Sequence, residues 1–227
     1  MLKYKLTNET IVHFGITLYR IEALMDFSDV KTGDKGGFVQ SENNLSQLGN
    51  AWVYGNAKVY GNAEVYDNAK VYGDAEVYDN AEVCGNTFVF GSAKVYGDAE
   101  VYGDAEVYDN SEVCGNAEVC GDAGVYGNAF VCDYVKVRGD ADVYGKAEVC
   151  GDAKVYKNSD YIVFKNWWSS GRYFTWTRSN NMWKVGCFYG NGEELIKKAY
   201  ADSEESGREY ERVVRYVENI LADELNK

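Results

Sequence analysis

Four of this chain's five tryptophans, Trp167, Trp168, Trp176 and Trp183, sit close together, with Lys165, Arg172, Arg178 and Lys184 interleaved among them. Aromatic faces attract cations and stack on planar ligands, and guanidinium groups grip phosphates through paired hydrogen bonds. Those residue types suit a small anionic, stackable ligand such as a nucleotide, held by Trp167, Trp168, Arg172, Trp176, Arg178 and Lys184. The competing reading is that the tryptophans pack the core of an end module.

Other reactive side chains are arranged less suggestively. Cys114, Cys132 and Cys150 recur every 18 residues. Stacked in a column they would come within disulfide reach, but no histidine joins them and a straight column is poor tetrahedral geometry for zinc. They read as small residues replacing tyrosine where space narrows, with no metal. His13 is the single histidine. No Gly-rich phosphate loop, serine elbow or metal-ligand cluster accompanies it. The expectation is a non-enzymatic protein with no catalytic residues and no cofactor.

The chain that must position these groups has 227 residues, 36 acidic and 23 basic, for a net charge of −13 and a pI near 4.6. Such an acid excess opposes direct nucleic-acid binding and attachment through a basic membrane patch. No stretch approaches the roughly 18 apolar residues of a membrane span, and the N-terminus lacks the apolar segment of a secretory signal. A cytoplasmic location with free thiols is expected. Proline is absent while glycine (24) and tyrosine (20) abound, a bias that demands a repeat.

Residues 51–158 run as 18 uninterrupted hexads, beginning AWVYGN, AKVYGN, AEVYDN. The third position is always valine, and the first is alanine except at Thr87, Ser111 and Val135. Three residues alternating in, out, in form a short strand, and Gly-Asn or Gly-Asp turns the corner. Asp67, Asp79, Asp109 and Asp133 replace the corner glycine, and Asp tolerates the left-handed region better than most residues. Alanine and valine supply an apolar core that no hexad could bury alone, so the hexads must stack. Three per turn give a triangular coil of 18 residues and a stack of six coils about 29 Å tall, at roughly 4.8 Å per rung.

Residues 18 apart then share a column. The fourth position of one face reads Tyr54, Tyr72, Phe90, Tyr108, Tyr126 and Tyr144, a stack widened by Trp52 and Phe88 at the second position. Rung-to-rung packing accounts for it, and so does a homo-oligomer face. A second-position column alternates Lys58, Glu76, Lys94 and Glu112 before Phe130 and Glu148, pairing opposite signs on neighbouring rungs. Another reads Glu64, Glu82, Glu100 and Glu118 before Lys136 and Lys154, an acidic strip flanked by Asp104, Asp122 and Asp140. Solubility is one role for it; docking of a basic host protein, or loosely held calcium, is another.

The small-x-valine hexads, free of insertions, resemble the hexapeptide-repeat left-handed parallel β-helix. The lead-in DFSDVKTGDKGGFVQSENNLSQLGNAWVYGNA (residues 26–57) resembles the N-terminal cap of bacterial and bacteriophage members, many of which carry a transferase label. Gly186-Cys187-Phe188-Tyr189-Gly190 and the Glu-rich helix after it are similar to a C-terminal module of bacteriophage proteins. Periodicity and resemblance together imply a mainly β fold. It comprises a β-rich cap (1–44), a left-handed parallel β-helix of about six coils (45–158) and a small α+β module (159–227). Acyltransferases of this family use a histidine base near a subunit boundary and an extended loop. Here His13 lies in the cap and nothing interrupts the hexads, which leaves that activity as an alternative. The favoured reading is a phage-encoded inhibitor of a bacterial defence system that sequesters a small nucleotide-like ligand or blocks a host protein. An oligomeric scaffold is the other alternative.

Toward the termini the pattern changes. Residues 3–6, 10–14 and 17–24 read as strands, with Gly36-Gly37 as a turn. Residues 161–165, 172–178 and 183–189 alternate like strands, with Ser179-Asn180-Asn181 turning a hairpin. Helices are expected over 193–201 and 208–225. The second carries Val213, Val214, Val217, Ile220, Leu221 and Leu225 at helical spacing, behind a Ser206/Glu209 capping box.

Overall fold

Each hexad contributes one short strand that pairs in parallel with the strand 18 residues later: Val53 with Val71, Val59 with Val77, Val65 with Val83. In the computed structural model, which describes residues 2–225, the hexads therefore wind a three-sided parallel β-solenoid. Met1, Asn226, Lys227 and the side chain of Leu225, expected on the apolar face of the last helix, lie outside the described residues. All the hexad valines are buried, as are the first-position alanines. At roughly 1.5–3 kcal/mol per buried valine, this row is the main source of stability. Thr87 and Ser111 enter it because their hydroxyls donate to the Cys84 carbonyl at 2.6 Å and the Tyr108 carbonyl at 2.8 Å.

Corner aspartates do more than tolerate a positive φ. Asp67, Asp79, Asp109 and Asp133 lie at φ 58 to 66°. Their carboxylates accept from the amides of Gly85, Gly97, Gly127 and Gly151 one rung on, at 3.4, 3.3, 3.1 and 2.9 Å. Asparagine columns next to the corners also run rung to rung, as from Asn50 to Asn68 to Asn86 to Asp104.

The solenoid makes about seven turns, one more than the hexads alone provide. Strand β3 (Lys35–Val39) pairs with the first hexad of one face, and Leu45 bridges to Val65. Gly36 and Gly37 lie in this strand instead of a turn. A Cβ on Gly36 would stand 2.5 Å from the Val53 carbonyl oxygen, and one on Gly37 would stand 2.5 Å from that of Ala57. Close approach is what requires these glycines. Ahead of them, β1 (Tyr4–His13) and β2 (Ile16–Ala23) form an antiparallel hairpin on the same sheet. The break expected between residues 6 and 10 is a register shift within one strand.

After the last coil, Tyr161–Lys165, Tyr173–Thr177, Met182–Val185 and Phe188–Gly190 form an antiparallel meander. One face covers the solenoid end. The other packs Phe174, Trp176 and Trp183 on helices α1 (Gly192–Asp202) and α2 (Glu204–Leu225). Asn191 and Glu194 form the capping box of α1. Helix α2 starts at Glu204, ahead of the expected residue 208. The Ser203 hydroxyl accepts from the Ser206 amide at 3.1 Å, so Ser206 lies inside the helix and the Ser206/Glu209 box does not form.

The parallel stack is polar along its axis. Rung amides donate to the following rung, as Lys58 N does to Ala75 O and Glu76 N to Ala93 O. The first turn therefore presents bare carbonyls and the last presents bare amides. Lys3 Nζ donates to Ala51 O at 2.9 Å, and Asn44 Nδ2 to Ala63 O at 2.9 Å and Gly61 O at 3.0 Å. At the far end side-chain oxygens take the amides, among them Asp160 Oδ2 from Tyr156 N (2.8 Å) and Lys157 N (3.2 Å). Asn158 Oδ1 serves Asp142 N (2.7 Å), Thr175 Oγ1 serves Glu148 N (2.9 Å) and Ser179 Oγ serves Lys154 N (2.7 Å).

Candidate functional site

Strand alternation divides the six-residue ligand set. Trp176 is fully buried against the helices, and its Nε1 donates to Asn181 Oδ1 at 2.8 Å. Trp168 packs edge-on to Tyr210 at 4.9 Å, while Trp167 is exposed. Lys184 lies across from Thr175, whose hydroxyl meets the solenoid, so the lysine occupies the face opposite Trp176. Arg178 sits 5.6 Å from the Trp176 ring and pairs with Glu224 at 2.5 Å. Of the six, Arg172 alone is an exposed cation with no ion pair among the described residues. The tryptophans are mostly core, because both faces of this sheet need covering.

Arg172 nonetheless belongs to a wider pattern. The basic side chains up to residue 138 are partnered, Lys3 by carbonyls and the others by carboxylates. Beyond it, Lys146, Lys165, Arg172 and Lys184 have no ion pair among the described residues. Lys146 and Lys165 approach the ring of Tyr173, with Nζ 5.0 and 5.7 Å from its centroid. Next to that ring, between the last coils and the loop before Tyr173–Thr177, runs a groove of about 600 Å³. Phe130, Lys146, Glu148, Arg172 and Tyr173 line it. The sequence signal for it lay in two irregularities: Phe130 interrupts its Lys/Glu column, and Lys146 is the one cation at a sixth hexad position.

On the aromatic face, Tyr72, Phe90, Tyr108, Tyr126 and Tyr144 stack nearly parallel at 4.8–5.3 Å. Tyr54 does not join them. Its ring stands edge-on to Tyr72, and its hydroxyl donates to Asp29 at 2.9 Å. Trp52 is buried beneath Tyr4 and Phe27, so it does not widen the exposed face. Tyr60, Tyr78 and Tyr96 form a second ladder at 4.9–5.0 Å.

The acidic strip is shorter than four residues. Glu64, Glu82 and Glu100 are exposed, whereas Glu118 lies between Lys136 (2.5 Å) and Arg138 (2.8 Å). Burial opposes charge on Glu118, but Lys136, Tyr102 and Arg138 outweigh it and pull the carboxyl down to about 2. The basic end of this column neutralises its acidic neighbour.

Cys114, Cys132 and Cys150 are buried, with the last two sulfurs 2.6 Å apart and Asp133 beside them. Two thiols and one carboxylate fall short of the four ligands of a structural zinc site. Burial pushes the Cys114 thiol up; the adjacent Cys150 thiol and burial do the same to Cys132. His13 Nε2 lies 3.2 Å from Glu76, which also meets Lys58 and the Tyr60 hydroxyl at 3.2 Å. The lone histidine thus ties the hairpin to the first coils. Among the described residues, no helix is long and apolar enough to cross a membrane. Compared with known proteins, the chain matches no protein-family model and no curated sequence.

Proposed function

We propose that this is a non-enzymatic binding protein that captures a small anionic, nucleotide-like ligand at its C-terminal end. The observation that carries the reading is the distribution of cations. In a chain of net charge −13, the cations without an ion pair among the described residues, carbonyl-bound Lys3 aside, all lie from Lys146 onward, in the last coils and the C-terminal module, and two of them meet at Tyr173. Unneutralised cations beside aromatic faces attract phosphates, while the acidic surface elsewhere repels long polyanions. The resemblance to hexapeptide-repeat proteins and to a bacteriophage C-terminal module extends the proposal. In that setting the protein is phage-encoded, and capture of the ligand disarms a host defence. Native mass spectrometry of protein purified from cells supplied with nucleotide extract tests it. Retained nucleotide is expected, and protein carrying none would sink the reading.

The stacked face favours a second reading, self-assembly. Five half-exposed rings in register offer a flat, rigid strip to a second copy. Tyr108→Glu should then shift sedimentation toward a smaller species, and an unchanged profile would point away from this face.

A further inference from the structure

We propose that the groove between the last two coils and the loop before Tyr173–Thr177 is a nucleotide site, with Phe130 taking the base and Lys146 and Arg172 taking the phosphates. The inference rests on the ligand-capture reading and adds a location and a ligand class to it.

Three observations converge. Lys146 and Lys165 approach one ring, Tyr173, and Arg172 lines the same groove. Two ammonium groups brought to one ring repel each other. Yet neither lysine, nor Arg172, has a carboxylate within ion-pair distance among the described residues, although acidic residues outnumber basic ones 36 to 23. A bound polyvalent anion relieves that repulsion, and the diphosphate of a nucleotide matches both the fork of Arg172 and the point charge of Lys146.

The second observation is Phe130. Its column runs Lys58, Glu76, Lys94 and Glu112 on successive paired rungs, and the alternation calls for a cation next. A half-exposed phenyl ring stands there instead, in the groove wall. A planar base can stack on it. The third is Glu148. The substitution at Phe130 leaves this carboxylate without a cation on the preceding rung, and it lines the same groove. An acceptor between phosphate-binding cations and a stacking face suits a ribose diol or a base N–H. The groove volume of about 600 Å³ accommodates one nucleotide.

Calorimetry on the full chain at low salt, titrating ADP, GDP, CDP and UDP in turn, tests the site. At least one should bind, with adenosine or the matching nucleoside and pyrophosphate each roughly tenfold weaker or more. Lys146→Ala combined with Arg172→Ala should weaken the nucleotide by about tenfold or more. Phe130→Ala should weaken the nucleotide and leave pyrophosphate unchanged. Thermal melts matching the parent establish that the variants fold. Full binding by the Lys146/Arg172 double variant overturns the groove while leaving ligand capture standing. Binding of none of the four by the parent, at up to about 1 mM, overturns both.

Discussion

The two ends of the solenoid solve opposite problems. The first turn presents carbonyls, and the cap answers with donors concentrated in few side chains: Lys3 serves Ala51 and Leu48, and Asn44 serves Gly61 and Ala63. The last turn presents amides, and they meet side-chain oxygens: Asn158, Thr175 and Ser179 take one each, and Asp160 takes those of Tyr156 and Lys157. A parallel stack has a backbone direction, so its caps cannot be interchanged. The difference also bears on function. The donor cap leaves its cations engaged, whereas the acceptor cap leaves Lys146, Lys165 and Arg172 without carboxylate partners among the described residues.

The comparison breaks most readily at Asn44. Asn44→Leu strands two carbonyls and also removes the acceptor of Ser41 N, and should cost about 2–3 kcal/mol in urea unfolding. Thr175→Val strands one amide and should cost about 1–2 kcal/mol, with Thr175→Ser recovering much of it. A Thr175→Val loss as large as that of Asn44→Leu would show that the caps are equivalent after all. A smaller effect concerns Glu118, whose carboxyl is held below its unfolded value. Its contribution is present above the ordinary carboxylate range and is lost as pH falls toward about 2. Glu118→Gln should therefore lower stability at neutral pH by up to about 1 kcal/mol and make no difference in strong acid, as followed by thermal melts. Lys3 sharpens the picture from the basic side. Burial lowers its ammonium to about 8 from 10.5, so the unfolded chain binds more protons between those values. Stability from this group should rise with pH across that window, and Lys3→Met should flatten the rise in pH-dependent unfolding. Smallest of all, Trp167→Ala should leave stability within about 0.5 kcal/mol, because the ring is exposed.

Much of the rod was legible because one period governs it. Val53 and Val155 obey the same rule, so spacing alone yields columns, corners and inward pegs. The module offered no such redundancy. Trp176 and Lys184 are near in sequence and share a composition cue, yet they fall on opposite faces of one sheet, and only register decides that. The start of α2 turned on Ser203, which the apolar spacing of Val213 and Val217 does not reveal.

The amino-acid order by itself determined the three-sided coil, since alanine and valine at a fixed interval can be buried only by stacking. Tertiary structure decided what the irregular residues do. Phe130, Lys146 and Arg172 acquire a common groove only once the meander closes over the last turn. Proximity between segments that distant depends on how the end is capped, and no local periodicity encodes it.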